Sequence, residues 1–131
     1  MDINTLCKAA HDNAVEHGFY NDAANIDPHL LFAKTIALIH SELSEALEAD
    51  RKNKHAKVTL YHSILETQQG DKDAQRHWFE LLIKDTVEDE LADAVIRIFD
   101  YCGYAGIDLE AHIVEKMNYN KLRPKQHGKE Y

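Results

Sequence analysis

Apolar residues recur at steps of three and four along most of the chain, the spacing of one face of an α-helix. Ile3, Leu6, Cys7, Ala10 and Ala14 follow it, and Gly18 is a stop for that first helix. Residues 20 to 27 are largely polar and read as a turn. Asp27-Pro28 then pairs an N-cap with a proline at the first helical position. The helix it opens is expected to run from Pro28 to about Lys52, with Ile36, Ile39, Leu43 and Leu47 as its apolar stripe.

The middle of the chain patterns less cleanly. Arg51 to His55 ends the long helix in charge. Val58, Leu60, Ile64 and Leu65 fit a short helix or an irregular excursion, and Gly70-Asp71 marks a break. From about Lys72 helical spacing resumes and is expected to continue to Tyr104, most clearly through Val87, Leu91, Val95, Ile98 and Cys102. Gly103 and Gly106 end that element. Asp108 caps a last helix carrying Leu109, Ile113 and Met117, and Pro124 closes it.

No segment alternates as a strand does, and no internal repeat is visible. Four or five helices without a sheet predict an all-α bundle forming one domain over residues 1–131. Apolar residues on several faces between Leu91 and Phe99 suit either a face shared in a dimer or a tightly packed monomeric core.

Composition agrees with this and narrows the function. Apolar residues are 44% of the chain, enough for a core, and only five glycines and two prolines occur. No apolar run is long enough to span a membrane. With 23 acidic and 15 basic side chains the formal net charge is -8, which steers poorly toward nucleic acid polymers or anionic membranes. Cys7 and Cys102 fall among apolar helical positions and read as buried free thiols. The opening MDINTLCKAA lacks the pattern of a secretory signal, so a cytoplasmic location is expected.

Two places break the apolar logic. In HSELSEALEAD, Glu42 and Glu45 are three apart and share a helix sector with Leu31, Leu38, Ala46 and Ala49. In EDELADAVIRI, Glu90 and Asp93 repeat that spacing beside Leu91, Ala92, Ala94 and Val95. Acids at this spacing most often face water. Set across from each other inside a bundle, four carboxylates would instead repel unless neutralised, and a hard cation such as Mg²⁺ or Mn²⁺ neutralises them at least cost.

The local charge reverses near the end. Lys116, Asn120 and Arg123 repeat at steps of four and three, and from Lys116 to Lys129 there is no acid. Fixed ammonium and guanidinium donors there suit phosphate oxygens, with His127, Gly128 and Lys129 following as a loop over the ligand. The alternative is a basic tail that offsets the helix dipole.

Taken together, these residues resemble the MazG-like superfamily of all-α nucleoside triphosphate pyrophosphohydrolases. Its pattern is E-E-x-x-E on one helix and E-x-x-D on another. Here Ser41-Glu42-Leu43-Ser44-Glu45 supplies the second and third acids, with Ser41 where the first Glu often stands, and Glu90-Leu91-Ala92-Asp93 matches in full. The resemblance covers about residues 30–130, with a variable segment at about 53–85 that lengthens the usual gap between the acidic elements.

The resemblance implies hydrolysis of a nucleoside or deoxynucleoside triphosphate between the α and β phosphates, releasing monophosphate and pyrophosphate in nucleotide-pool housecleaning. It implies Glu42, Glu45, Glu90 and Asp93 as the catalytic metal shell for Mg²⁺ or Mn²⁺. Lys116, Asn120, Arg123, His127 and Lys129 would be the substrate-binding set. It also implies a homodimer or homotetramer. The competing readings are a non-catalytic helical scaffold or partner-binding protein and a phosphoribosyl-ATP pyrophosphatase-like enzyme. A di-iron carboxylate protein is disfavoured, because neither Glu42 nor Glu90 has a His three residues on.

Overall fold

The computed structural model describes residues 1–124. Among them the regular structure is entirely helical: α1 (Ile3–Glu16), α2 (Pro28–Arg51), α3 (Val58–Thr67), α4 (Lys72–Leu82), α5 (Val87–Ala105) and α6 (Leu109–Lys121), with a 3₁₀ turn at Ala23–Asn25. The all-α expectation therefore stands, but with six helices instead of four or five. None of them is long and apolar enough to cross a membrane.

The extra helices have a local cause. The segment expected to run unbroken from Lys72 to Tyr104 is cut after Leu82, and Asp85 turns there with a φ of 59°. Thr86 restarts the chain as a cap. Its hydroxyl donates to the Ile83 carbonyl at 2.6 Å and accepts the Asp89 N–H at 3.3 Å, while the Asp89 carboxylate accepts the Asp85 N–H at 3.0 Å. These reciprocal bonds satisfy free N–H groups at the start of α5. Val58 onward forms a true helix, α3, which pairs with α4.

Caps elsewhere follow the sequence. The Asp27 carboxylate accepts the His29 and Leu30 N–H groups with Pro28 in the first turn, and Asp108 accepts from Ala111. Gly18 lies just past α1 with a φ of 80°. Gly103 departs from expectation, since it sits inside α5. A Cβ there would lie 2.5 Å from the Cys7 carbonyl oxygen and 2.7 Å from His11 Cβ. Its missing side chain permits the close approach of α1 to α5.

The chain divides into two compact units. One comprises Met1–Asn21 and the described residues from Phe99 onward; the other is Asp22–Ile98. In the first, the starts of α1 and α6 are tied together. The Ile3 N–H donates to the Glu110 carboxylate at 3.0 Å, and the Asn4 side-chain amide donates to Asp108 at 2.8 Å. Cys7 and Cys102 are buried free thiols of this unit. Also in it, and part-buried, Asp100 Oδ1 accepts from His11 Nδ1 and from the Tyr20 hydroxyl, each at 2.9 Å. The Tyr20 ring stacks on Tyr104 with centroids 5.0 Å apart.

In the second unit, the loop after α2 is stitched to the loop before α5. The Lys57 N–H donates to the Leu82 carbonyl at 2.9 Å, and the Val87 N–H donates to Lys54 at 3.1 Å. Glu88 accepts the Ala56 N–H at 2.8 Å. These bonds set the end of α2 beside the beginning of α5. Farther back along α2, Glu42 meets Arg97, farther forward along α5. The two segments therefore run antiparallel.

The buried face of α2 is not the one its leucines predict. Ile36, Leu43 and Leu47 are exposed, whereas Glu42, Ala46 and Ala49 are buried. On α5, Glu90 and Ala94 are buried, while Leu91, Val95 and Ile98 are exposed. Within this unit, the withdrawn faces thus carry small residues and carboxylates.

Candidate metal centre

Those faces bring three of the expected acids together. One carboxylate oxygen from each of Glu42, Glu45 and Glu90 lies within 4.8 Å of the others. Glu42 and Glu90 are buried and Glu45 is exposed, so the cluster has a closed inner side and a wet outer one. The i, i+3 spacing places Glu42 and Glu45 on one sector of α2. The stitched loops then deliver Glu90, in the first turn of α5, to that sector.

Glu90 is the least satisfied member. It is 7% exposed. Among the described residues no cation forms an ion pair with its carboxylate, and it faces Glu45 and Glu42 instead. Burial first, then the charges of Glu45 and Glu42, push its pKa up from 4.5 to about 7. Position at a helix N-terminus favours a carboxylate, but that effect is smaller than burial among like charges.

Glu42 is held differently. Arg97 Nε donates to its Oε1 at 2.6 Å. The Glu42 side chain is 8% exposed and that of Arg97 39%. Arg97 was not among the residues expected from sequence. A signal was there: it lies four residues after Asp93 and seven after Glu90, on the same helical face.

Asp93 is not one of the three clustered acids. It is exposed, though its charge is felt at the cluster. Loss of water, then the Asp89 and Glu42 charges, raise its pKa, and Arg97 counteracts them. Lys116, Asn120 and Arg123 lie on α6 and just after it, in the other unit. Lys116 Nζ lies 4.9 Å from the Tyr119 ring centroid and Arg123 Cζ 5.8 Å, so both cations engage that ring. His127 and Lys129 fall outside the described residues.

The His11–Asp100–Tyr20 network carries no signal in the sequence. Its partners are 89 and 80 residues apart, with no motif to link them.

The donor set fits a hard divalent cation. Three carboxylate oxygens at this separation suit Mg²⁺ or Mn²⁺, which prefer oxygen ligands and keep several waters. A buried carboxylate facing only other carboxylates is the group such an ion would satisfy. The fold and site thus define a class: an all-helical protein with a tri-carboxylate cluster suited to a divalent metal. Comparison with known proteins goes no further, for no family model, no curated protein and no solved structure matches the chain.

Proposed function

We propose that this protein is a metal-dependent hydrolase of nucleoside or deoxynucleoside triphosphates. It cleaves between the α and β phosphates and releases monophosphate and pyrophosphate. The observation that carries the reading is the Glu42–Glu45–Glu90 cluster with Glu90 buried against two other carboxylates. The Glu-x-x-Asp and Glu-x-x-Glu spacing of the MazG-like pattern turns a generic metal site toward this chemistry.

Glu42, Glu45 and Glu90 would hold the cation, with Asp93 at the rim. When bound, Mg²⁺ or Mn²⁺ supplies Lewis-acid charge against phosphoryl oxygens and lowers the pKa of water. The chain's own residues do the rest. Glu42 is oriented by Arg97. Glu90 is kept dry by its burial, so it gains most from ionising against a cation. Glu45, open to solvent, is placed to orient a water on the wet side.

The active form is a dimer of this chain. Ile36, Leu43 and Leu47 on α2 and Leu91, Val95 and Ile98 on α5 are 36–54% exposed. They leave large apolar side chains open to water, the kind an interface core covers. A second copy offers the matching patch by symmetry. Light scattering after size exclusion tests this: a monomeric mass at micromolar concentration would refute it.

Product analysis tests the activity. The purified protein is incubated with a panel of ribo- and deoxyribonucleoside triphosphates and Mg²⁺, beside Glu90→Gln. Monophosphate plus pyrophosphate from wild type alone supports the reading. Absence of any metal-dependent product across the panel sinks it in favour of a non-catalytic scaffold.

A further inference from the structure

Arg97 is a cation in contact with the acidic cluster, and only part of it is used. Nε donates to Glu42 at 2.6 Å. Among the described residues, neither Nη group has an acceptor, and the side chain stays 39% exposed. The guanidinium is thus fixed by one edge and open at the other. Glu42, 8% exposed, makes a rigid anchor for that fixed edge.

The same cluster holds a second pointer to a ligand. Glu90 is more than nine-tenths buried, forms no ion pair among the described residues and is aimed at Glu42 and Glu45. A cation placed there draws anionic oxygens to the rim where Arg97 stands. Four acids, Glu42, Glu45, Glu90 and Asp93, would otherwise repel a phosphate chain. A guanidinium suits that rim because its planar fork binds two phosphate oxygens at once and stays charged at any working pH.

We propose that Arg97 binds substrate phosphate: Glu42 anchors its Nε, and its two Nη groups take non-bridging oxygens of the triphosphate held at the carboxylate cluster. This rests on the reading of the cluster as a metal-dependent triphosphate site. Arg97 thereby has two partners, and a lysine, with one ammonium centre, cannot replace it at both.

Two binding measurements on the full chain test this without turnover. Mn²⁺ affinity is read by electron paramagnetic resonance, and inorganic tripolyphosphate affinity by calorimetry in saturating Mg²⁺. Arg97→Gln is expected to weaken tripolyphosphate binding about 10- to 100-fold beyond whatever Mn²⁺ affinity is lost by freeing Glu42, the loss typical of a charged bidentate contact. Arg97→Lys, which keeps the charge should the glutamine variant fold poorly, is expected to recover less than half of that loss on a logarithmic scale.

Unchanged tripolyphosphate binding in Arg97→Gln overturns the proposal. So does a matching loss of Mn²⁺ affinity, since Arg97 would then act only by positioning Glu42. Full rescue by lysine also overturns it. A wild type that binds no Mn²⁺ removes the underlying site and this inference with it, whereas one that binds Mn²⁺ separates the two.

Discussion

Two carboxylates in this molecule, Asp100 and Glu90, are both drawn away from water and are treated in opposite ways. Asp100 accepts from His11 Nδ1 and the Tyr20 hydroxyl, each at 2.9 Å. Its unit supplies the donors, and the Tyr20 phenol, part-buried and bound to Asp100, is pushed to a higher pKa. Glu90 faces Glu45 and Glu42 instead, and its pKa rises to about 7. A part-buried charge met by its own chain closes a structural network. One met only by like charges points to something the chain does not provide.

The largest expected effect breaks that contrast at Glu90. Glu90→Gln should weaken Mn²⁺ binding by at least about 100-fold, beyond what losing an outer-shell partner costs. The metal-free variant should be as stable as wild type or more so, because a repelled carboxylate is gone. Mn²⁺ titration and urea unfolding check the two halves. Loss of stability together with retained metal binding would make Glu90 a structural acid like Asp100.

Next comes the close approach that supports the Asp100 network. Gly103→Ala forces a Cβ into the Cys7 carbonyl and His11, both backed by helix backbone. Overpacking of this kind costs about 2 kcal/mol. Thermal melting should show it, with Mn²⁺ affinity unchanged. An unshifted melting temperature would mean that α1 yields without cost.

Asp100→Ala should cost somewhat less, about 1–2 kcal/mol, because two part-buried donors lose their acceptor but retain some access to water. Denaturant unfolding measures it. A fall in Mn²⁺ affinity on this change would join the two sites and undo their separation into structural and functional.

A pH dependence sharpens the contrast further. Glu90 has a folded-state pKa of about 7 against an ordinary 4.5, so folding favours its neutral form. The stability this gives is fully present below about 4.5 and is lost as pH rises through about 7. Metal-free protein should therefore weaken over that window. Mg²⁺ should raise the melting temperature more at pH 8 than at pH 5, and Glu90→Gln should flatten the difference. Equal Mg²⁺ shifts at both pH values would argue that the ion binds elsewhere.

Local chemistry was legible in the sequence. Asp27-Pro28 and Asp108 cap the helices they were expected to cap, because capping needs only a side chain and the next turn. The i, i+3 pairing of Glu42 with Glu45 is likewise a property of one helix. The break at Asp85 leaves no apolar signal, since helical spacing continues across it while the turn is held by bonds of Leu82 and Val87 to Lys57 and Lys54.

Sequence alone thus determined the helical class, the caps, the buried thiols and the acids worth watching, all of which follow from residue type and short-range spacing. Tertiary structure decided which face of α2 is withdrawn, leaving Leu43 exposed and Glu42 buried. It also chose three acids for the cluster, gave Arg97 to Glu42, and gave Asp100 to His11 and Tyr20. The physical reason is common to all of these. Whether a carboxylate is solvated, paired or crowded depends on groups distant in sequence, and only the folded chain brings them within reach.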